Sequence, residues 1–214
     1  RWRIETSLLA SIHFQNKVNG VGWHAQSEAH GRGASPQCSA PRAMHAGEWH
    51  INYFWRRAYW GSMMKAMLLE RIQVIDAHAR PLRLVEIAQP QMRHDEVMIR
   101  VAACGVCHTD LDEIEGRTPP RQLPMVLGHQ VVGRIVDRGH QATQWQLGDR
   151  VGVAWIFSAC GRCLHCLADC ENLCADFQAT GRDQFGGYAE LMTAPAAFVH
   201  RIPDAVSSEE AAPL

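Results

Sequence analysis

The sequence has almost no net charge: 21 Lys and Arg stand against 22 Asp and Glu, a formal balance of −1. A near-neutral chain offers no electrostatic case for nucleic acid or for an anionic membrane surface, so neither is expected as a partner. No apolar run approaches the roughly 18 residues that a membrane-spanning helix needs. The first fourteen residues lack the apolar core and small-residue cleavage site of a secretory signal. A disulfide framework is also missing: seven of the eight cysteines fall between 104 and 174 at metal-type spacings, which favours a reducing, cytoplasmic setting. The chain starts at Arg1 rather than Met, and it is expected to be a piece of something longer.

What is present centres on Cys160-Gly-Arg-Cys163-Leu-His-Cys166, followed by Cys170 and Cys174. Thiol pairs two residues apart place two sulfurs on one tight turn, as a tetrahedral zinc requires at about 2.3 Å per sulfur. Five thiols compete for four places. Cys160, Cys163, Cys166 and Cys174 make one closed set. Cys160, Cys163, Cys166 and Cys170 make another, with the spacing of a ferredoxin-type iron–sulfur run. Spacing alone leaves both open.

Residues 1–63 differ in composition from the rest. Five of the seven Trp and seven Lys or Arg against three acids lie within residues 1–62, with no sustained helical or strand period. Gly20-Val-Gly-Trp-His-Ala25 matches a dinucleotide-binding fingerprint only formally, since no apolar strand precedes it. This stretch is expected to be an extension outside any domain, with the folded domain over 64–214.

From Met64 the pattern becomes regular. Strands are expected at Lys65–Leu69, Leu82–Ile87, Glu96–Cys104, His129–Arg138, Arg150–Trp155, Tyr188–Thr193 and Phe198–Ile202, separated by Gly and Pro turns. Many short strands and few helices point to a mainly β barrel or sandwich. Ser207-Ser-Glu-Glu210 is a capping box, so a helix should begin there.

A second cluster surrounds Cys104-Gly-Val-Cys107-His108. The C-x-x-C-H string also serves haem attachment, but that chemistry accompanies export, and no leader is visible. Cys107 with His129 suits zinc instead: thiolate plus imidazole, with an open position for catalysis. Asp110 could accept the second ring N–H of the histidine, and Thr109 offers a hydroxyl beside the metal.

Gly105-Val-Cys-His-Thr-Asp110, Gly128-His129, Gly148-Asp-Arg-Val151, the 160–174 cysteines and Gly186-Gly-Tyr-Ala-Glu190 occur together in one order. In this the chain resembles the zinc-dependent alcohol dehydrogenases of the medium-chain dehydrogenase/reductase group. The resemblance implies a GroES-like barrel with a small zinc-binding lobe. It implies Cys160, Cys163, Cys166 and Cys174 as structural zinc ligands, with Cys170 outside the set. It implies Cys107 and His129 as catalytic zinc ligands, Thr109 as the start of a proton relay and Asp110 as the carboxylate behind the histidine. His108 falls at a cofactor-phosphate position. Asp112 stands where many members carry a relay histidine, and Gln130 where a glutamate usually follows the ligand histidine.

The implied activity is oxidation of a small alcohol to an aldehyde or ketone, with hydride passing to NAD(P), in an enzyme that can form homo-oligomers. The third catalytic ligand and the nucleotide-binding domain would lie beyond Leu214, so the chain alone is expected to be inactive. A non-catalytic zinc-binding module and an iron–sulfur electron carrier are the competing readings.

Overall fold

The computed structural model describes residues 62–214, so the extension expected over 1–63 lies almost wholly outside the described residues. Strand dominates helix, as the spacing of turns predicts. β1 (Met63–Leu69), β2 (Leu82–Ala88) and β4 (Met125–Val126) form an antiparallel sheet in the order β2-β1-β4. A second antiparallel sheet runs β10-β6-β5-β3-β9, from β3 (Glu96–Gly105), β5 (Gln130–Arg138), β6 (Arg150–Val153), β9 (Leu191–Pro195) and β10 (Val199–Arg201). β7 (Ile156–Ser158) and β8 (Gln178–Ala179) pair at the root of the cysteine lobe.

Alternation along β3 explains its place. Val97, Ile99 and Val101 point inward and meet Val131, Ile135, Val151, Val153 and Met192, the main core. Burial of this kind contributes roughly 25 cal/mol per Å² of apolar surface removed from water. Trp145 caps that core. Its indole N–H donates to the Ala196 carbonyl at 2.9 Å, so the one polar atom of a buried ring is satisfied. The two register shifts between β3 and β5 are consistent with the curl of the larger sheet.

Two expected strands differ from those observed. Arg150–Trp155 ends at Val153, and Trp155 turns away toward His129. Tyr188–Thr193 begins at Leu191 instead, and runs on to Pro195. Residues 188–190 serve both sheets at once: Met67 N–H donates to Tyr188 O, Glu190 N–H to Lys65 O, and Val101 N–H to Glu190 O. A segment whose backbone groups are divided between two sheets satisfies them without a continuous ladder to either. This seam joins the sheets into a curled half-barrel.

Among the described residues three short α-helices accompany the strands. α1 (His108–Glu115) is absent from the sequence expectation. Its buried positions are Asp110, Glu113 and Ile114, one helical face with two acids on it, so no apolar period announces it. α2 (Leu164–Leu167) sits in the cysteine lobe. α3 (Ser208–Ala211) opens at Ser207, whose hydroxyl accepts the Glu210 N–H at 3.2 Å, while the Glu210 carboxylate accepts the Ser207 N–H at 3.1 Å. The expected capping box is present.

The segment before β5 is held from behind. Gly186 N–H donates to Val126 O, Gly187 N–H to Gly128 O and Tyr188 N–H to Leu127 O, at 2.7–3.0 Å. Such proximity requires glycine: a Cβ on Gly186 would come within 2.2 Å of the Gly128 carbonyl oxygen. Gly186→Ala is therefore expected to lower the unfolding free energy by about 1–3 kcal/mol, the range for overpacking a tight site. Urea denaturation measures it; a variant as stable as the parent would show that the contact is not close.

Candidate metal centres

Two groups of metal-competent side chains stand out among the described residues. The first is the cysteine lobe. Cys160 follows β7, Cys163 caps α2, Cys166 lies within it, and Cys174 closes a 3-10 turn over Glu171–Leu173. The four sulfurs lie within 4.8 Å of one another. Cys163 and Cys166 are 3.5 Å apart, and Cys160 and Cys166 3.9 Å. Sulfurs on a tetrahedral zinc at about 2.3 Å lie roughly 3.8 Å apart, so the set fits one ion. None of the described cysteines is in a disulfide.

Cys170 is not in this group; its thiol turns to the Ala168 carbonyl. The grouping thus matches the 160-163-166-174 set and not the ferredoxin-type run. The thiols of the lobe are not equivalent. N–H groups of Arg162 and Cys163 hold the Cys160 thiol down to about 6, while burial and neighbouring thiols push Cys166 up to about 12.

The second group lies where α1 meets the start of β5. Cys107 is the N-cap of α1, and its N–H donates to Asp110 Oδ2 at 2.8 Å. A carboxylate in the first turn also meets the positive end of the helix. The Thr109 hydroxyl is 3.6 Å from the Cys107 sulfur. Asp110 Oδ1 faces Nδ1 of His129 at 3.7 Å, with both residues buried. Burial pushes Asp110 up, partly offset by His129, and pushes His129 down. Both shifts favour the neutral forms, so the contact is not a simple ion pair.

Gly128, at φ +93°, supplies the left-handed turn that aims His129 inward. His108 is largely exposed on α1 and lies 3.6 Å from Asp112. The Gln130 amide packs over Gly105, at the end of β3.

Sequence reasoning missed two parts of this region. Trp155 stands edge-on to His129 at 4.9 Å, with Phe177 and the Arg182 guanidinium against its ring. Glu113, one turn beyond Asp110, is fully buried, and its donor atoms group with those of Asp110 and His129 within 4.8 Å. Cys107 is not in that mutually close set. The signal for Glu113 was the i, i+3 spacing of two acids, which reads equally well as a solvated face.

Residues 93–204 match the family model described as the alcohol dehydrogenase GroES-like domain. The chain belongs to this family. The GroES-like barrel expected from the motifs is therefore the fold. An alcohol dehydrogenase of Geobacillus stearothermophilus is 44% identical over 142 residues, 66% of this chain and 42% of the relative. A probable cinnamyl alcohol dehydrogenase of Populus deltoides is 41% identical over 127 residues, 56% of this chain and 36% of the relative.

Among solved structures, a cobalt- and zinc-bound alcohol dehydrogenase from Pyrobaculum aerophilum superposes with a TM-score of 0.64 at 28% identity, covering 72% of this chain and 45% of that one. An NAD-dependent alcohol dehydrogenase gives 0.65 at 30% identity, covering 71% and 43%. The chain spans less than half the length of the curated relatives it matches. No helix of the described residues is long and apolar enough to cross a membrane.

Two predictions follow from the geometry of this GroES-like domain. After loading with zinc, Cys174→Ser should lose the ion from the cysteine lobe and Cys170→Ser should keep it, as read by elemental analysis after gel filtration. The reverse pattern would return the ferredoxin-type set.

The second concerns pH in the metal-free chain. Burial first, and Asp110 next, push Glu113 up to about 8 from an ordinary 4.5. The folded state thus holds a proton that the unfolded chain releases. Its contribution to stability is full below 4.5 and is lost as pH rises toward about 8. Glu113→Gln cannot ionise and should flatten that fall. Parallel denaturation curves for parent and variant at about pH 5 and about pH 8 would contradict it.

Proposed function

We propose that this chain is the metal-bearing catalytic domain of a zinc-dependent alcohol dehydrogenase, acting on a small alcohol with NAD(P) as hydride acceptor. The observation that carries the reading is the arrangement at the start of α1, where Asp110 accepts the Cys107 N–H, Thr109 lies beside the Cys107 sulfur and Asp110 faces His129, in a family of alcohol dehydrogenases. The donor chemistry of Cys107 and His129, a thiolate and an imidazole, fits zinc. Zinc bound there would supply Lewis-acid polarisation of the alcohol oxygen.

The chain's own residues do the rest. Asp110, tied to the Cys107 N–H, stands behind His129 and sets which ring nitrogen carries hydrogen, leaving Nε2 for the metal. The Thr109 hydroxyl, beside the Cys107 sulfur, takes the proton the alcohol gives up. Trp155 walls the space beside His129 with an apolar ring and restricts water there. His108, exposed at the N-terminal end of α1, meets the cofactor phosphate.

Cys160, Cys163, Cys166 and Cys174 hold the structural ion. The working domain runs over 64–214, with 1–63 outside it. A nicotinamide would be held by residues beyond this domain, so the 214-residue chain alone transfers no hydride.

The test is to supply the zinc-loaded chain with primary alcohols and NAD or NADP and follow reduced nicotinamide. No turnover is expected from the chain alone. Fusing it to the nucleotide-binding half of a close relative should restore activity. Thr109→Val in that fusion should lower kcat by about 10²–10⁴-fold, the range for a lost proton-transfer group. Turnover by the isolated chain, or an active Thr109→Val fusion, would overturn these assignments.

A further inference from the structure

Arginines collect on the face of the larger sheet that points away from the main core. Arg100 on β3 alternates with the inward Ile99 and Val101, and so faces outward. It stands directly opposite Arg134 on β5, and Arg134 stands opposite Arg150 on β6. Residues paired across antiparallel strands share a face, so the three side chains form one row. Arg100 and Arg134 are exposed and Arg150 is half-buried. Like charges set directly opposite destabilise a sheet, so the row calls for a countercharge.

The sheet supplies only part of it. In a cleft of about 350 Å³, Arg134 and Arg150 are joined by Arg201 and by two aspartates. Asp204 lies 3.7 Å from Arg134, and Asp149 lies 3.2 Å from Arg201. Arg100 and Arg150 have no carboxylate partner among the described residues. Four arginines against two aspartates leave two positive charges unmatched.

The cleft arginines are nevertheless held in place. Arg134 donates to the Gly148 carbonyl at 2.9 Å, and Arg150 to the Pro203 carbonyl and, at 3.3 Å, the Ser208 hydroxyl. The Arg201 guanidinium lies over the Trp145 ring at 4.8 Å. Carbonyl, hydroxyl and ring fix the direction of a guanidinium without cancelling its charge, which stays available to an incoming anion.

We propose that Arg100, Arg134, Arg150 and Arg201 form a binding site for a phosphoryl group, free or carried on a small molecule. Near neutral pH a phosphoryl group brings close to two negative charges and three acceptor oxygens; a carboxylate brings one charge and two oxygens. The phosphoryl group therefore matches the unmatched charge, and the planar fork of each guanidinium can meet two of its oxygens at once. The site takes no residue from either metal centre, so it goes beyond the dehydrogenase reading, and its failure would leave that reading standing.

Calorimetric titration of inorganic phosphate into the 214-residue chain tests this, with ionic strength fixed by NaCl because exposed charges are screened. Saturable binding of phosphate is expected. Arg134→Gln and Arg100→Gln should each raise its Kd about tenfold, the loss of one charge-assisted contact, and Arg83→Gln on β2 should leave it unchanged. A parallel titration with glycerol phosphate separates the two sources. Tighter binding of the ester would assign a phosphorylated small molecule, and equal or weaker binding the free anion; both support the site. Heats no larger than dilution for both probes, or a phosphate Kd unchanged in both Arg134→Gln and Arg100→Gln, would overturn the inference.

Discussion

The backbone clamp between Gly186–Tyr188 and Val126–Gly128 is the contact on which the rest of the structure turns. It fixes the three residues before His129 against a second strand-like segment, at a separation only glycine permits. The clamp continues into residues 188–190, which bind both sheets and so hold the barrel in its curl. The same segment therefore closes the fold and seats the histidine. A change in one is transmitted to the other, because close-packed interiors shift rather than stretch.

Against that rigid frame, α1 brings chemistry rather than packing. Only Ile114 joins an apolar cluster, with Leu69, Met125 and Leu127. The other buried positions of the helix are acids facing His129. Low local polarisability makes each unpartnered oxygen expensive. The helix is thus stabilised at its ends, by the Asp110 carboxylate at the start and by Gly116 in the left-handed conformation at its close.

The cysteine lobe follows a different logic. Its four sulfurs come from a stretch of fifteen residues and need little from the barrel beyond the short β7–β8 pair at its root. Backbone N–H groups of the same loop lower the Cys160 thiol, while burial raises that of Cys166. The cysteine cluster is thus set by local chain geometry, whereas the surroundings of His129 are set by tertiary packing.

That difference decides what could be read in advance. Cysteine spacing, the Gly and Pro turns and the alternation of β3 are local, and from them the mainly β fold and the 160–174 lobe follow directly. The capping box at Ser207 is local too, and the helix begins there. The choice of Cys174 over Cys170 rested on family resemblance, since both spacings close a loop; the three-dimensional turn at Glu171–Leu173 distinguishes them by facing one sulfur inward.

The helix at His108–Glu115 carried no apolar period, because its inner face is acidic. The seam at 188–190 read as a strand, because alternation does not reveal that backbone groups are divided between two sheets. Glu113 is a surface residue by composition. Only the packing of α1 against the clamped Leu127–His129 turn buries it, because that contact joins segments far apart in the chain, beyond the range of any local pattern.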